Sequence, residues 1–297
     1  MRFSVTHTTT YAYVATASLS QMKVHLRPRE CERQTVIAHV LDVDPAPERI
    51  GVRQDYFGNS VSFVTIQEPH QVLHVRARSE VVVHAPAAPA PTPAWEEVRD
   101  HVRNDRRAAC LEAYQFVFSS PRVQRSEALA AYARASFPTG RPLLEAAREL
   151  THRIHEDFVY ERGATDVATP VAEAFARRHG VCQDFAHVMV GCLRSLGLPA
   201  RYVSGYLHTR RGAPRPPWVG ADESHAWVSV YALGAGWVDF DPTNDVMVGE
   251  EHVTVGWGRD YGDVAPVRGV TIGGGEHTMD VTVDCEPVAV APAVVTS

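Results

Sequence analysis

Prolines at positions 86, 89, 91 and 93 divide the chain into two unlike parts. Proline supplies no backbone N–H and fixes φ, so four within eight residues exclude both a helix and a central strand. Residues 86–94 therefore read as a semi-rigid linker between a domain at 1–85 and a larger one at 95–297. Before the linker the pattern is that of strands. Phe3–His7, Val61–Ile66, Leu73–Arg78 and Val81–Val83 carry β-formers, with turn signals at Asp44-Pro45, Pro47-Glu48 and Phe57-Gly58-Asn59-Ser60. Short strands at this spacing predict a small antiparallel β-sandwich.

After the linker the period becomes helical. Trp95–Asn104, Ala108–Phe118, Ser126–Phe137 and Pro142–Phe158 are rich in Ala, Glu, Leu and Arg at helical spacing. Thr169 as N-cap with Pro170 in the first helical position predicts another helix, ending at Gly180. A further helix spans about Cys182 to Leu196, closed by Gly197 and Pro199. Strand patterns return at Arg201–Ser204, His225–Tyr231 and Trp237–Phe240. The fold class is thus α+β, with a core at 142–250 and a β-rich extension at 251–297.

Composition narrows the function. The net charge of −6 argues against a nucleic-acid partner, which a basic face would hold. Lys23 is the single lysine, which excludes a Walker-type loop and leaves one candidate for Schiff-base chemistry. The five cysteines form no CxxC pair, so neither a disulfide framework nor a zinc ribbon is expected. His152 and His155 lack an obvious third ligand, no EF-hand loop is present, and no metal or organic cofactor is expected. Neither a signal peptide nor an apolar run of membrane-spanning length is visible, and the cytoplasm is the expected compartment.

The segment Gly180-Val181-Cys182-Gln183-Asp184-Phe185-Ala186-His187 carries the chemistry. Phe185, Val188, Met189, Cys192, Leu193 and Leu196 form one apolar helix face. Cys182 belongs to that face but sits in the first turn, where the helix dipole and free N–H groups favour a thiolate. Cys192, deeper in the helix, reads as a core residue. A thiolate nucleophile needs an imidazole and a group to orient it. His225 opens a strand 43 residues later, and Gly236–Phe240 reads as its hairpin partner. Asp239 and Asp241 share a parity on that partner, and spacing does not choose between them.

At these residues the chain resembles the transglutaminase-like superfamily of papain-fold cysteine enzymes. The resemblance rests on GVCQDFAHVMVGCLRSLGLPARYVSGYL and ESHAWVSVYALGAGWVDFDPTND, spanning 180–245. It extends to HTTTYAY, LRPRE and DYFGNSVSF, which are similar to a β domain preceding this core in bacterial members, and to GRDYGDVAPVRGV. The resemblance implies Cys182 as nucleophile, His225 as base and acid, and Asp241 as orienting carboxylate. It also implies acyl transfer at a peptide or protein amide through a thioester. Water is the favoured acceptor over an external amine, and a non-catalytic peptide-binding module of the same fold is the rival reading. The Cys182 N–H is the natural first oxyanion donor. Animal transglutaminases use an upstream tryptophan as the second. Here Phe175 is the closest upstream aromatic, and Tyr160 and Gln183 are the candidates with polar groups. His187 and Trp227 are expected to support the site from behind.

Overall fold

The computed structural model describes residues 1–209, 218–221 and 223–288. Its first strand, β1 (Arg2–Val24), is 23 residues long and organises everything in the N-terminal part. Strands β2 (Gln34–Asp44), β3 (Arg49–Gln54), β4 (Ser60–Ile66) and β5 (His70–Val83) join it in the order β2-β5-β1-β4-β3. The β1–β5 register breaks between Ala12 and Ala17. Up to Ala12, and again at Ala17, the strand pairs with β5, and from Ser20 onward with β4. A long β1 has a second edge, and that edge is filled from the far end of the chain.

Strands β13 (Val267–Gly273) and β14 (His277–Pro287) pair antiparallel with β1, matching Val24 to Val267 and Phe3 to Pro287. The N-terminal sheet is therefore a seven-stranded antiparallel half-barrel rather than a unit closed within 1–85. The stretch read as one extension at 251–297 is divided. Its first strand joins the core and its last two complete the N-terminal sheet, while residues 289–297 lie outside the described residues. Local patterning predicts a strand but not its partner, so sequence alone did not show this.

The core follows the expected helices closely. They are α1 (Trp95–Asn104), α2 (Ala108–Tyr114, continued by one 3₁₀ turn to Val117), α3 (Glu127–Arg134) and α4 (Leu143–Asp157). Ser126 caps α3 by accepting from the Leu129 N–H. Strands β6 (Val159–Tyr160) and β7 (His179–Gly180) form a short parallel pair. Between them lies α5 (Val171–Arg177), which starts one residue later than expected, with Pro170 as its N-cap. It also ends earlier. Arg178 takes the left-handed conformation at φ 58° and lays its guanidinium against Tyr132, Phe158 and Phe175. Gly180 is needed for another reason: a Cβ there would meet Asp184 at 2.5 to 2.8 Å.

Helix α6 (Cys182–Ser195) is buried on every side from Cys182 to Arg194, which marks a central helix. It packs on a five-stranded antiparallel sheet ordered β11-β10-β9-β8-β12. These strands are β8 (Ala200–Leu207), β9 (His225–Ala232), β10 (Gly236–Asp241), β11 (Val246–Met247) and β12 (His252–Gly258). A last turn of helix, α7 (Tyr261–Val264), precedes β13. No helix among the described residues is long and apolar enough to cross a membrane.

An apolar patch and an aromatic clasp are among the contacts that join the half-barrel to the core. Phe3, Val5, Val81, Val83, Val283 and Cys285 pack against Tyr206, Val253 and Val255 of β8 and β12. Beside them, Trp257 is clasped between Arg29 at 3.6 Å and Arg201 at 3.7 Å, and Arg201 also covers Trp237 at 4.2 Å. Asn59 accepts from the Trp257 N–H and donates to its carbonyl. The LRPRE and DYFGNS segments thus serve as the joint. Trp257→Ala is expected to cost about 3 kcal/mol, the low end for removing a packed aromatic, because the indole is only partly buried. Urea unfolding at neutral pH measures it, and a loss below about 1 kcal/mol would show that the clasp does not hold the joint.

Candidate active site

Cys182 is the first residue of α6, and three interactions hold its turn in place. The Asp184 carboxylate accepts from the Val181 N–H at 2.9 Å and from Thr165 Oγ1 at 2.6 Å, and the Asp184 N–H donates to the Val181 carbonyl at 2.9 Å. The parallel β6–β7 pair sets Tyr160 beside Gly180, immediately before this turn. The Cys182 thiol is 7 % exposed, and its Sγ lies 3.8 Å from the Ser224 carbonyl oxygen. The N–H groups of a first helical turn have no partner within the helix, and here they border a cavity.

His225 is the first residue of β9 and is 1 % exposed. Its Nε2 lies 2.8 Å from Asp241 Oδ2. An ionised carboxylate can only accept, so Nε2 carries a proton in either charge state of the ring, and Nδ1 is the nitrogen that gains or loses one. Nδ1 is buried and without a hydrogen-bond partner. It faces Gly220, whose φ of +80° and close approach both demand glycine: a Cβ there would come within 3.0 Å of Nδ1 and 3.3 Å of Tyr160 Oη.

The hairpin register decides between the two aspartates. Asp239 pairs with Ser229 and Phe240 with Val228, so Asp241 falls nearest His225 at the end of β10. Asp239 instead accepts from Trp227 Nε1 at 3.2 Å and from Arg33 at 3.4 Å. Asp241 is wholly buried and richly solvated by protein. Its Oδ1 accepts from the Thr243 and Asn244 N–H groups at 2.9 and 3.3 Å. Its Oδ2 takes Asn244 Nδ2 at 2.8 Å as well as His225, and His252 Nε2 stands 3.4 Å away. Pro242 stops the strand, and the turn after it turns the two N–H groups back onto the carboxylate.

Burial alone would raise the Asp241 pKa. The charge and hydrogen bond of His225, with help from His252, hold it well below the carboxylate range. Burial likewise opposes a charged His225, but Asp241 and then the Cys182 thiol outweigh it and push the imidazole up to about 10. Burial alone acts on His7, down to about 4. It also dominates at Tyr160, raised to about 12, so that phenol stays protonated and able to donate.

Both parts of the chain wall the cavity, about 450 Å³, that opens at Cys182 and His225. Tyr160, Gln183 and Tyr202 line it from the core. His7, Thr9 and Tyr11 of β1, with Met279 and Val281 of β14, line it from the half-barrel. The alternation of β1 carries the signal: Phe3 and Val5 point into apolar packing, and the same face turns polar at His7 and Thr9 where it meets the cavity.

The remaining candidates divide. Tyr160 and Gln183 are at the cavity. Phe175 is not; it packs in the aromatic group around Arg178. His187 turns away, accepting from the Tyr261 N–H at 3.2 Å, and burial drives it to about 3, so it is a neutral tie between α6 and α7. Trp227 lies behind His225, with ring centroids 6.2 Å apart. In the GRDYGDV segment, Asp260 accepts from the Gly262 and Arg122 N–H groups and Asp263 binds Arg259. Asn244, Gly220 and His252 went unrecognised in the sequence. Asn244 had a visible signal, three residues after Asp241, whereas Gly220 and His252 reach the site only through tertiary pairing.

The three donors Cys182, His225 and Asp241 do not converge on one point as a zinc site requires. Among the described residues the group that does converge is His101, Asp105 and Cys110, outside the cavity. There the Arg107 guanidinium already holds Asp105 at 2.6 Å and His101 at 3.2 Å. His152 and His155 are engaged by Asp245 and the Thr243 carbonyl, respectively.

A cysteine at a helix terminus and a carboxylate-held histidine at one interdomain cavity define a papain-like cysteine-site architecture. Comparison with known proteins agrees. Residues 3–82 match the bacterial transglutaminase-like N-terminal region and residues 128–242 the transglutaminase-like superfamily. An uncharacterized protein of Mycobacterium tuberculosis (strain H37Rv) is 38 % identical over 96 % of this chain and 93 % of its own length. A protein-glutamine gamma-glutamyltransferase of Pseudomonas aeruginosa is 35 % identical over 31 % of this chain and 14 % of its own. The crystal structure of a proposed cysteine protease from Cytophaga hutchinsonii superposes with a TM-score of 0.75 at 23 % identity, covering 98 % of this chain and 93 % of that one. The chain belongs to the transglutaminase-like superfamily.

The buried pair has a pH signature. Asp241, with its depressed pKa, contributes stability above the unfolded value of about 3.9 that is lost as the pH falls through its folded value. His225, with its raised pKa, contributes stability that is complete below about 6.5 and fades as the pH rises toward its folded value. His225→Gln should therefore cost most near pH 5.5, about 3 kcal/mol for breaking a buried pair, and progressively less toward pH 10. Urea titrations at three pH values test this, and a deficit that grows with pH would contradict it.

Proposed function

We propose that this protein is a cysteine-dependent enzyme that cleaves an amide bond of a peptide or protein through a thioester, with water as the acceptor. The observation that carries the reading is the hydrogen bond of His225 Nε2 to the buried Asp241, which leaves a basic Nδ1 at the cavity shared with the helix-terminal Cys182. In the first step Nδ1 holds the proton given up by the thiol, and Sγ attacks the amide carbonyl carbon as the thiolate. The resulting oxyanion meets the N–H of Cys182, and Tyr160 Oη or the Gln183 side chain supplies the second donor. Collapse of the tetrahedral species breaks the C–N bond, and the imidazolium hands its proton to the departing amine. His225 then deprotonates water, which attacks the thioester and releases the acid and the Cys182 thiol.

Water is the simpler acceptor because an amine needs a built second site. With Lys23 as the single lysine, an amine acceptor would come from another molecule. The five free thiols support a reducing compartment, the cytoplasm. Turnover of a pooled peptide-amide library, with and without added primary amine, distinguishes the outcomes. Wild type should release acid and ammonia or amine, Cys182→Ala should release none, and Asp241→Asn should fall by about 10³-fold or more. Amine incorporation that dominates over acid would replace hydrolysis by transamidation. Tight peptide binding with no turnover by wild type would establish the binding-module reading instead.

A further inference from the structure

We propose that His252 is a positioning residue of the active site, holding the Asp241 carboxylate in the plane that orients His225. His252 opens β12, on the far edge of the core sheet from β10, and is 2 % exposed. Its Nε2 is 3.4 Å from Asp241 Oδ2, the same oxygen that binds His225 at 2.8 Å. The ring is boxed by Trp227, edge-on at 5.4 Å, and by Trp218 at 5.9 Å. Trp227 is also the ring behind His225, so one indole fixes the orientation of both imidazoles.

Its protonation follows from its neighbours. The groups that face it are Asp241 on β10, His225 on β9 and Arg33 from the half-barrel, while Glu251 holds Trp218 by its indole N–H at 2.7 Å. Nδ1 is buried with no hydrogen-bond partner, so a proton there would be unsatisfied. Burial lowers its pKa against the pull of Asp241. The ring is therefore neutral with its proton on Nε2, where it donates to the carboxylate. With His225, Asn244 Nδ2 and two backbone N–H groups, Asp241 then has three donors at Oδ2 and two at Oδ1, and rotating the carboxylate would break some of them.

This inference rests on the Cys182–His225–Asp241 reading, and the test separates the two. Cys182 alkylation by iodoacetamide, followed residue by residue by mass spectrometry from pH 5 to 9, reads the imidazole's hold on the thiol without any substrate. His225→Ala should lose the reactivity of Cys182 at pH 6; if it keeps wild-type rates, the triad itself is wrong. His252→Leu should slow Cys182 about 10-fold at pH 6 and converge with wild type near pH 9, where a thiol ionises unaided. His252→Gln, which keeps a donor at the Nε2 position, should remain within about 3-fold of wild type, an energy difference under 1 kcal/mol. A His252→Leu protein with wild-type rates at pH 6, or one altered only in melting temperature, overturns the proposal while leaving the triad intact. If His252→Leu fails to fold, His252→Asn takes its place, since its amide lies on the Nδ1 side. Equal rates for the Asn and Gln variants would then overturn the proposal.

Discussion

The hydrogen bond between His225 and Asp241 is the constraint around which the rest is arranged. Two ionisable groups with no solvent exposure are costly to bury unless every lone pair and proton is satisfied. Much of the core can be read as meeting that condition. The Asp-Pro-Thr-Asn turn supplies N–H donors, Asn244 supplies a side-chain donor, and β12 brings His252 to the same carboxylate. Satisfying Asp241 in this way leaves one edge of His225 free, and that edge faces the cavity with Cys182.

The thiol side is built by different means. The first turn of α6 is exposed to the cavity because the chain enters it from the β6–β7 pair, with Asp184 closing the turn from below. Gly180 allows that closure, since any side chain would collide with Asp184. The half-barrel then walls the cavity opposite the helix, through β1 and β14. Residues near both chain ends, Thr9 and Val281, are direct register partners there, so this wall of the cavity forms only once the whole sheet has assembled.

Much of this was legible in the sequence, and the reasons are local. The helix-terminal position of Cys182 follows from an apolar stripe that starts just after Gly180, and the His225 hairpin from a glycine-bearing turn between alternating strands. The linker prolines marked the switch from strand to helical patterning. What was hidden depended on tertiary pairing. Asp239 and Asp241 share a parity, and the actual register with Ser229 and Val228 separated them. His252 carries no local signal, because β12 takes its place in the core sheet only by pairing with β8. The return of β13 and β14 to β1 could not be inferred from composition, because their residues pattern like any exposed strand.

If His225 and Asp241 act on Cys182 as described, one thiol of five should be unlike the rest. The most direct measurement is competitive labelling of the native protein with limiting iodoacetamide at pH 6, with each cysteine quantified separately. Burial pushes Cys192 and Cys285 up to about 12, and raises Cys31 and Cys110 as well, so all four should remain largely unlabelled. Cys182 should take nearly all of the label. Slow and equal labelling of all five cysteines would contradict it.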